Sequence, residues 1–151
     1  VSEPGPQAAV VLVVPSATEF LAAIRDVARR AAELFGCDPA LAEQVALAVD
    51  EASTNVIQHA YAGASDRLIE LRFDRAGERL SVEIEDDGAP LDERAFPEVD
   101  LRLYASERRR GGLGVHLMGR IMDEVSFSRG GRGNVCTMRK RIGTAEGREA
   151  R

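Results

Sequence analysis

Ile69-Glu-Leu-Arg-Phe-Asp-Arg-Ala-Gly-Glu-Arg-Leu-Ser-Val-Glu-Ile-Glu-Asp86 alternates apolar and charged residues on both sides of Gly77. A period of two places Ile69, Leu71 and Phe73 on one face of a strand. After a turn at Gly77, Leu80, Val82 and Ile84 take the same face of the next strand, a β-hairpin pattern. Each strand then has one covered and one wet face, which is the mark of an antiparallel sheet packed on a single side.

What covers that face lies upstream and downstream. Phe20, Leu21, Ile24, Val27, Ala31, Leu34 and Phe35 repeat at helical spacing up to Gly36, and Ser16-Ala-Thr-Glu19 before them has the spacing of a capping box. Asp38-Pro39 offers an N-cap and a proline at the first helical position, and Leu41, Val45, Ala48, Ala52 and Val56 carry a second helix to Tyr61, short of Gly63. Leu113, Leu117, Met118, Ile121, Met122 and Val125 predict a third helix directly behind the glycines at 111, 112 and 114. Val10 to Val14, stopping at Pro15, reads as a short strand covered on both sides, and two last strands, about Val125–Ser128 and Asn134–Ile142, flank a Gly-rich turn. The fold class expected is α+β, a two-layer α/β sandwich with a mixed, mostly antiparallel sheet and its helices on one face.

The chain has 151 residues, 44% of them hydrophobic and 30% charged, an ordinary balance for one globular domain. We read a loose leader at 1–7, a working domain at 8–142 and a polar tail at 143–151. With 20 Lys+Arg against 25 Asp+Glu the net charge is −5, so no global field draws nucleic acid or anionic lipid. The longest apolar run is too short to span a membrane, and no basic segment precedes it. Cys37 and Cys136 are too few for a disulfide framework or a metal knuckle and read as core thiols of a reducing compartment. A cytoplasmic protein is expected, without direct contact to nucleic acid or membrane.

Four stretches carry chemistry. On the second helix Glu51, Asn55 and His59 stand four residues apart and form one polar ladder beside the apolar stripe. Two readings stand: a general base at Glu51 with an oxygen ligand for Mg²⁺ at Asn55, or a hydrogen-bonded helix rim. His59 by itself reads as a satisfied, partly buried histidine. Asp86 continues the inward parity of Leu80, Val82 and Ile84, so a carboxylate is aimed at the core, where it needs a donor such as an adenine amino group. An ordinary Asp-Asp-Gly turn is the alternative, and Gly88 serves either one through close backbone approach.

Arg110-Gly-Gly-Leu-Gly114 opens a helix, whose free N–H groups suit a phosphate, with Arg110 able to reach a terminal phosphate; a flexible joint is the plainer reading. Asn134 shares the apolar parity of Cys136 and Met138 and points into the same pocket, or else serves the turn behind Gly133.

In this order, Glu51-Ala-Ser-Thr-Asn55, Asp86-Asp-Gly88, Gly112-Leu-Gly114 and Gly133-Asn134 resemble the N, G1, G2 and G3 boxes of the GHKL, or Bergerat-fold, ATPases. Glu51 to Tyr61 and Arg110 to Met118 look most like the bacterial anti-sigma factor serine-protein kinases, and the likeness runs from about Val10 to Arg141. The resemblance implies a domain that binds ATP and Mg²⁺, sequesters a sigma factor, phosphorylates a serine of a STAS-domain anti-anti-sigma partner, and forms a homodimer. It implies that Glu51 acts as base, Asn55 holds Mg²⁺, Asp86 reads the adenine amino group with Gly88 in support, and Arg110 meets the terminal phosphate. Gly112, Leu113 and Gly114 would approach the phosphates, Asn134 would complete the nucleotide site, and the stretch from Pro90 to Arg110 would be the ATP lid.

Two departures lead us to expect altered nucleotide affinity: Gly88-Ala-Pro90 lacks a second glycine, and Asn134 stands where threonine is common. Two other readings remain beside the kinase: a nucleotide-responsive binding module that sequesters a partner without phosphotransfer, and the ATP-binding half of a histidine kinase. For the latter we expect a preceding helix pair with an acceptor histidine, and neither histidine reads as that acceptor: His59 lies inside the N box and His116 just after the G2 glycines.

Overall fold

The computed structural model describes residues 9–90 and 113–143. The expected leader, most of the tail, and the expected lid from residue 91 onward, with Arg110, Gly111 and Gly112, lie outside them. The elements are β1 (Ala9–Pro15), α1 (Leu21–Phe35), α2 (Pro39–Asn55), β2 (Leu68–Ala76), β3 (Arg79–Asp86), α3 (Leu113–Ile121), β4 (Glu124–Gly130) and β5 (Gly133–Arg141). The strands form one sheet in the order β1-β2-β3-β5-β4, and every pairing is antiparallel.

Alternation decides the layers as the hairpin predicts. Ile69, Leu71, Phe73, Leu80, Val82, Ile84 and Met138 are fully buried on the inner face. Against them pack Ile24 and Ala28 of α1, Val45 and Val49 of α2, and Met118 of α3. α1 packs along α2, and the alanines at 28, 31, 32, 42, 46 and 48 on these two helices are buried in the core, where small side chains allow close approach.

Three local expectations are corrected. β1 is not covered on both sides: Val11 and Val13 are 49% and 53% exposed, because β1 is an edge strand on a sheet whose helices lie on the other face. Its β-branched run reports strand preference, which says nothing about a second covering layer. Ser16 caps no helix. It donates to the Ala64 carbonyl at 2.6 Å and accepts from the Arg67 N–H at 3.1 Å, pinning the end of β1 to the loop before β2. A 3₁₀ turn at Thr18–Phe20 intervenes before α1.

The end of α2 also departs from the expected helix. Its start is as expected, with Asp38 accepting from the Leu41 N–H at 2.8 Å and Pro39 in the first turn. Beyond Asn55, however, the helix widens into a π turn at Val56–Ala60, where the Tyr61 N–H reaches the Val56 carbonyl. An added residue per turn rotates the side chains beyond Asn55 about the helix axis, so His59 leaves the ladder and is exposed.

Candidate functional site

Asp86 ends β3 with its side chain turned inward and only 5% exposed, and its strand partner is Asn134 of β5. Its Oδ1 accepts from the Gly88 N–H at 2.9 Å and from Asn134 Nδ2 at 2.8 Å. Burial pushes this carboxyl up, while the Asn134 and Gly88 bonds pull it back by favouring the charged form.

Two glycines make the arrangement possible. A Cβ on Gly88 would sit 2.4 Å from the Ala60 carbonyl oxygen, the same oxygen that accepts from the Ala89 N–H at 2.9 Å. At Gly133 φ is 143°, and a Cβ there would lie 2.1 Å from the Asp86 carbonyl oxygen. The end of β3 is therefore wedged between the π turn and β5.

Through Ala60 this wedge is joined to the helix that carries Asn55 and Glu51. Asn55 is 5% exposed, and its Nδ2 is the one buried side-chain polar atom without a partner among the described residues. A buried amide with an open end calls for a ligand. Half a turn about its last torsion offers oxygen in place of nitrogen, and oxygen is what Mg²⁺ takes. Among the described residues no group of three His, Cys, Asp or Glu side chains could hold a metal alone. An oxygen at Asn55 would fit a hard cation such as Mg²⁺ as one protein ligand.

Glu51, one turn earlier, is half-buried; burial first, and then the neighbouring Asp50, push its carboxyl up. Asp50 is itself raised by burial and partly brought back by Arg25 of α1 at 3.8 Å. Leu113 and Gly114 open α3, which packs on α2.

The structure adds residues that the sequence reading passed over. Tyr61 closes the π turn: its hydroxyl donates to the Leu68 carbonyl, accepts from the Asp87 N–H at 3.1 Å, and lies 3.0 Å from Asp87 Oδ1. Arg67 holds that same carboxylate oxygen at 2.8 Å and lies over the Tyr61 ring. This bracket braces the strand end from outside, and burial pushes the Tyr61 phenol up to about 12. Arg129 of β4 donates to Asn134 Oδ1 at 3.2 Å. Counting back from Asn134 across the Gly130–Gly133 turn would have found Arg129, which shares the inward parity of Phe127 and Val125. Cys136 and Cys37 are buried and form no disulfide, as expected, and the Cys136 thiol is pushed up to about 12 mainly by burial.

Residues 14–140 match the model of the histidine kinase-like ATPase domain. The serine-protein kinase RsbW of Bacillus pumilus is 34% identical over 119 residues, covering 74% of this chain and 73% of that protein. Its counterpart in Bacillus subtilis is 33% identical, covering 74% and 72%. This chain belongs to the histidine kinase-like ATPases, in the RsbW serine-protein kinase branch. A chain of the SiaB–SiaC complex from Pseudomonas aeruginosa shares the fold, with a TM-score of 0.62 at 17% identity over 87% of both chains. The GHKL boxes are thus those of an ATP-binding family. No helix among the described residues is long and apolar enough to cross a membrane.

Proposed function

We propose that this chain is an ATP- and Mg²⁺-dependent serine-protein kinase and anti-sigma factor of the cytoplasm. In this reading it sequesters a sigma factor, phosphorylates a serine of a STAS-domain anti-anti-sigma partner, and works as a homodimer. The observation that carries the proposal is the joining, through Ala60, of the buried Asp86–Gly88–Asn134 cluster to the helix that presents Glu51 and Asn55.

Asp86 reads the base through its carboxylate, with Gly88 letting the chain come close. Glu51 accepts the proton of the substrate serine as its oxygen attacks the γ-phosphorus; the bond from that phosphorus to the bridging oxygen breaks, and ADP leaves. A carboxyl raised by burial and by Asp50 is better matched to that task near neutral pH than an ordinary one. Asn55 would hold Mg²⁺, which offsets phosphate charge when bound. Arg110 and the backbone at Gly112, Leu113 and Gly114 take the terminal phosphates.

The homodimer rests on β1. A mostly apolar groove of about 280 Å³ lined by Val10, Asp26, Val27, Arg30, Ala31 and Leu34 runs beside this edge strand, and Leu34 is exposed, as are Val11 and Val13.

Incubation with labelled ATP, Mg²⁺ and STAS-domain proteins of the same genome tests the proposal, with Glu51→Ala as control. A phosphoserine on one partner, absent with Glu51→Ala, is the expected result. ATP binding without modification of any partner would favour the nucleotide-responsive binding module.

A further inference from the structure

The two places where this chain departs from its family's pattern touch each other. Asn134 Nδ2 donates at 2.8 Å to Asp86 Oδ1 and at 2.8 Å to the carbonyl of Ala89, the residue before Pro90. A threonine hydroxyl has one hydrogen and could serve only one of these acceptors; an amide nitrogen has two. The direction of the amide follows from the chemistry. Carboxylate and carbonyl only accept, so nitrogen must face them, and Arg129 Nη1 donates to the amide oxygen on the other side at 3.2 Å. Asp86 Oδ1 is committed to Gly88 and Asn134, and no described residue donates to Oδ2.

We propose that Arg129 and Asn134 form a positioning relay: Arg129 orients the Asn134 amide, and the amide fixes both Asp86 and the Ala89 carbonyl, so that one carboxylate oxygen is turned to the amino group of the nucleotide base. The relay rests on the reading of Asp86 as the base-recognising residue. With both amide hydrogens committed, Asn134 acts through Asp86, and neither relay residue touches the reacting atoms.

The relay also sets the pH range of binding. An Asp86 that takes up a proton loses its role as acceptor, and the Asn134 bond is the foremost interaction keeping it charged against burial. Other groups act on it as well. Asp87 on its own strand end opposes its charge and Arg129 from β4 supports it. Cys136 from β5 and Tyr61 from the π turn feel Asp86, but both are held near 12 and stay neutral across the range. Without Asn134 the carboxyl rises, so binding fails at a higher pH than in the wild type.

Calorimetric titration of ATP and GTP between about pH 5 and 8 tests this on wild type, Asn134→Ala, Asn134→Thr, Arg129→Ala, Arg129→Lys and Asp86→Asn, each checked for its melting transition. We expect Asn134→Ala to weaken ATP about tenfold, the scale of one hydrogen bond to a charged group, and to move the acid limb of binding upward. Asn134→Thr, which keeps one donor, should fall between the two. Arg129→Ala, an exposed change that leaves the fold intact, should move in the same direction by about threefold, with recovery in Arg129→Lys. Preference for ATP over GTP should narrow in Asn134→Ala. Wild-type affinity and acid limb in Asn134→Ala, or a loss equal at every pH, would overturn the relay. Wild-type ATP binding by Asp86→Asn, or none by the wild type, would overturn the reading of Asp86 and the relay with it.

Discussion

Glu51 and Asp86 are both carboxyls raised by burial, yet their surroundings divide the work. Asp86 is held by two donors, whereas Glu51 is pressed upward by Asp50. A base must be deprotonated, so phosphotransfer should rise with pH through an inflection above the usual glutamate value of 4.5. Asp50→Asn removes the like charge and should lower that inflection, read from initial rates of phosphoserine formation; Glu51→Ala should cost about 10²–10⁴-fold in rate while keeping ATP. Backbone space separates the glycines just as clearly. Gly133→Ala meets the Asp86 carbonyl at a left-handed φ and should cost about 3 kcal/mol or more in urea unfolding, while Gly131→Ala, with nothing within 4 Å, should be close to neutral. The inward placement of Asp86 and Asn134 was legible because period-two counting aims side chains without knowledge of partners, and Gly88 was legible as a place of close backbone approach. Tyr61, Arg67 and Asp87 were not: their bracket joins a turn, a loop and a strand end that no spacing brings together.

At the level of elements, legibility tracked the length of the repeat. The hairpin and α2 came through because many residues vote for one period, but a single extra residue in the π turn was enough to detach His59 from a ladder counted in fours. Exposure makes the consequence testable. His59→Ala should leave ATP binding and phosphotransfer at wild-type levels, and a large loss would mean that the π turn carries more of the site than its surface position indicates. Ser16 shows the same limit from the other side. Its spacing to Glu19 matches a capping box, yet the hydroxyl is taken by a loop 48 residues away. Ser16→Ala removes the partner of the Ala64 carbonyl and of the Arg67 N–H in a part-buried corner, and a loss of about 1 kcal/mol is expected in urea unfolding.

For the molecule as a whole the two edges of the sheet differ. β4 shows Glu124, Ser126 and Ser128 on its uncovered face, where the charge of Glu124 discourages pairing along that edge. β1 shows Val11 and Val13 on the uncovered sheet face, and Leu34 of α1 stands exposed beside Val10. A long apolar edge left open is an invitation to aggregation, and antiparallel pairing of β1 with β1 about a two-fold axis closes it without leaving a new edge. The same pairing would join two sheets into one and hold the helical layers, with their sites, on a common side. Sedimentation at micromolar concentration should therefore give a dimer. Val13→Lys and Leu34→Glu place charges on the sheet face and on the groove, and both should sediment as monomers that still bind ATP, since neither residue neighbours Asp86 or Asn55. A wild type that stays monomeric over the same range would remove the two-fold arrangement, and the exposed valines would then belong to a surface for a different protein.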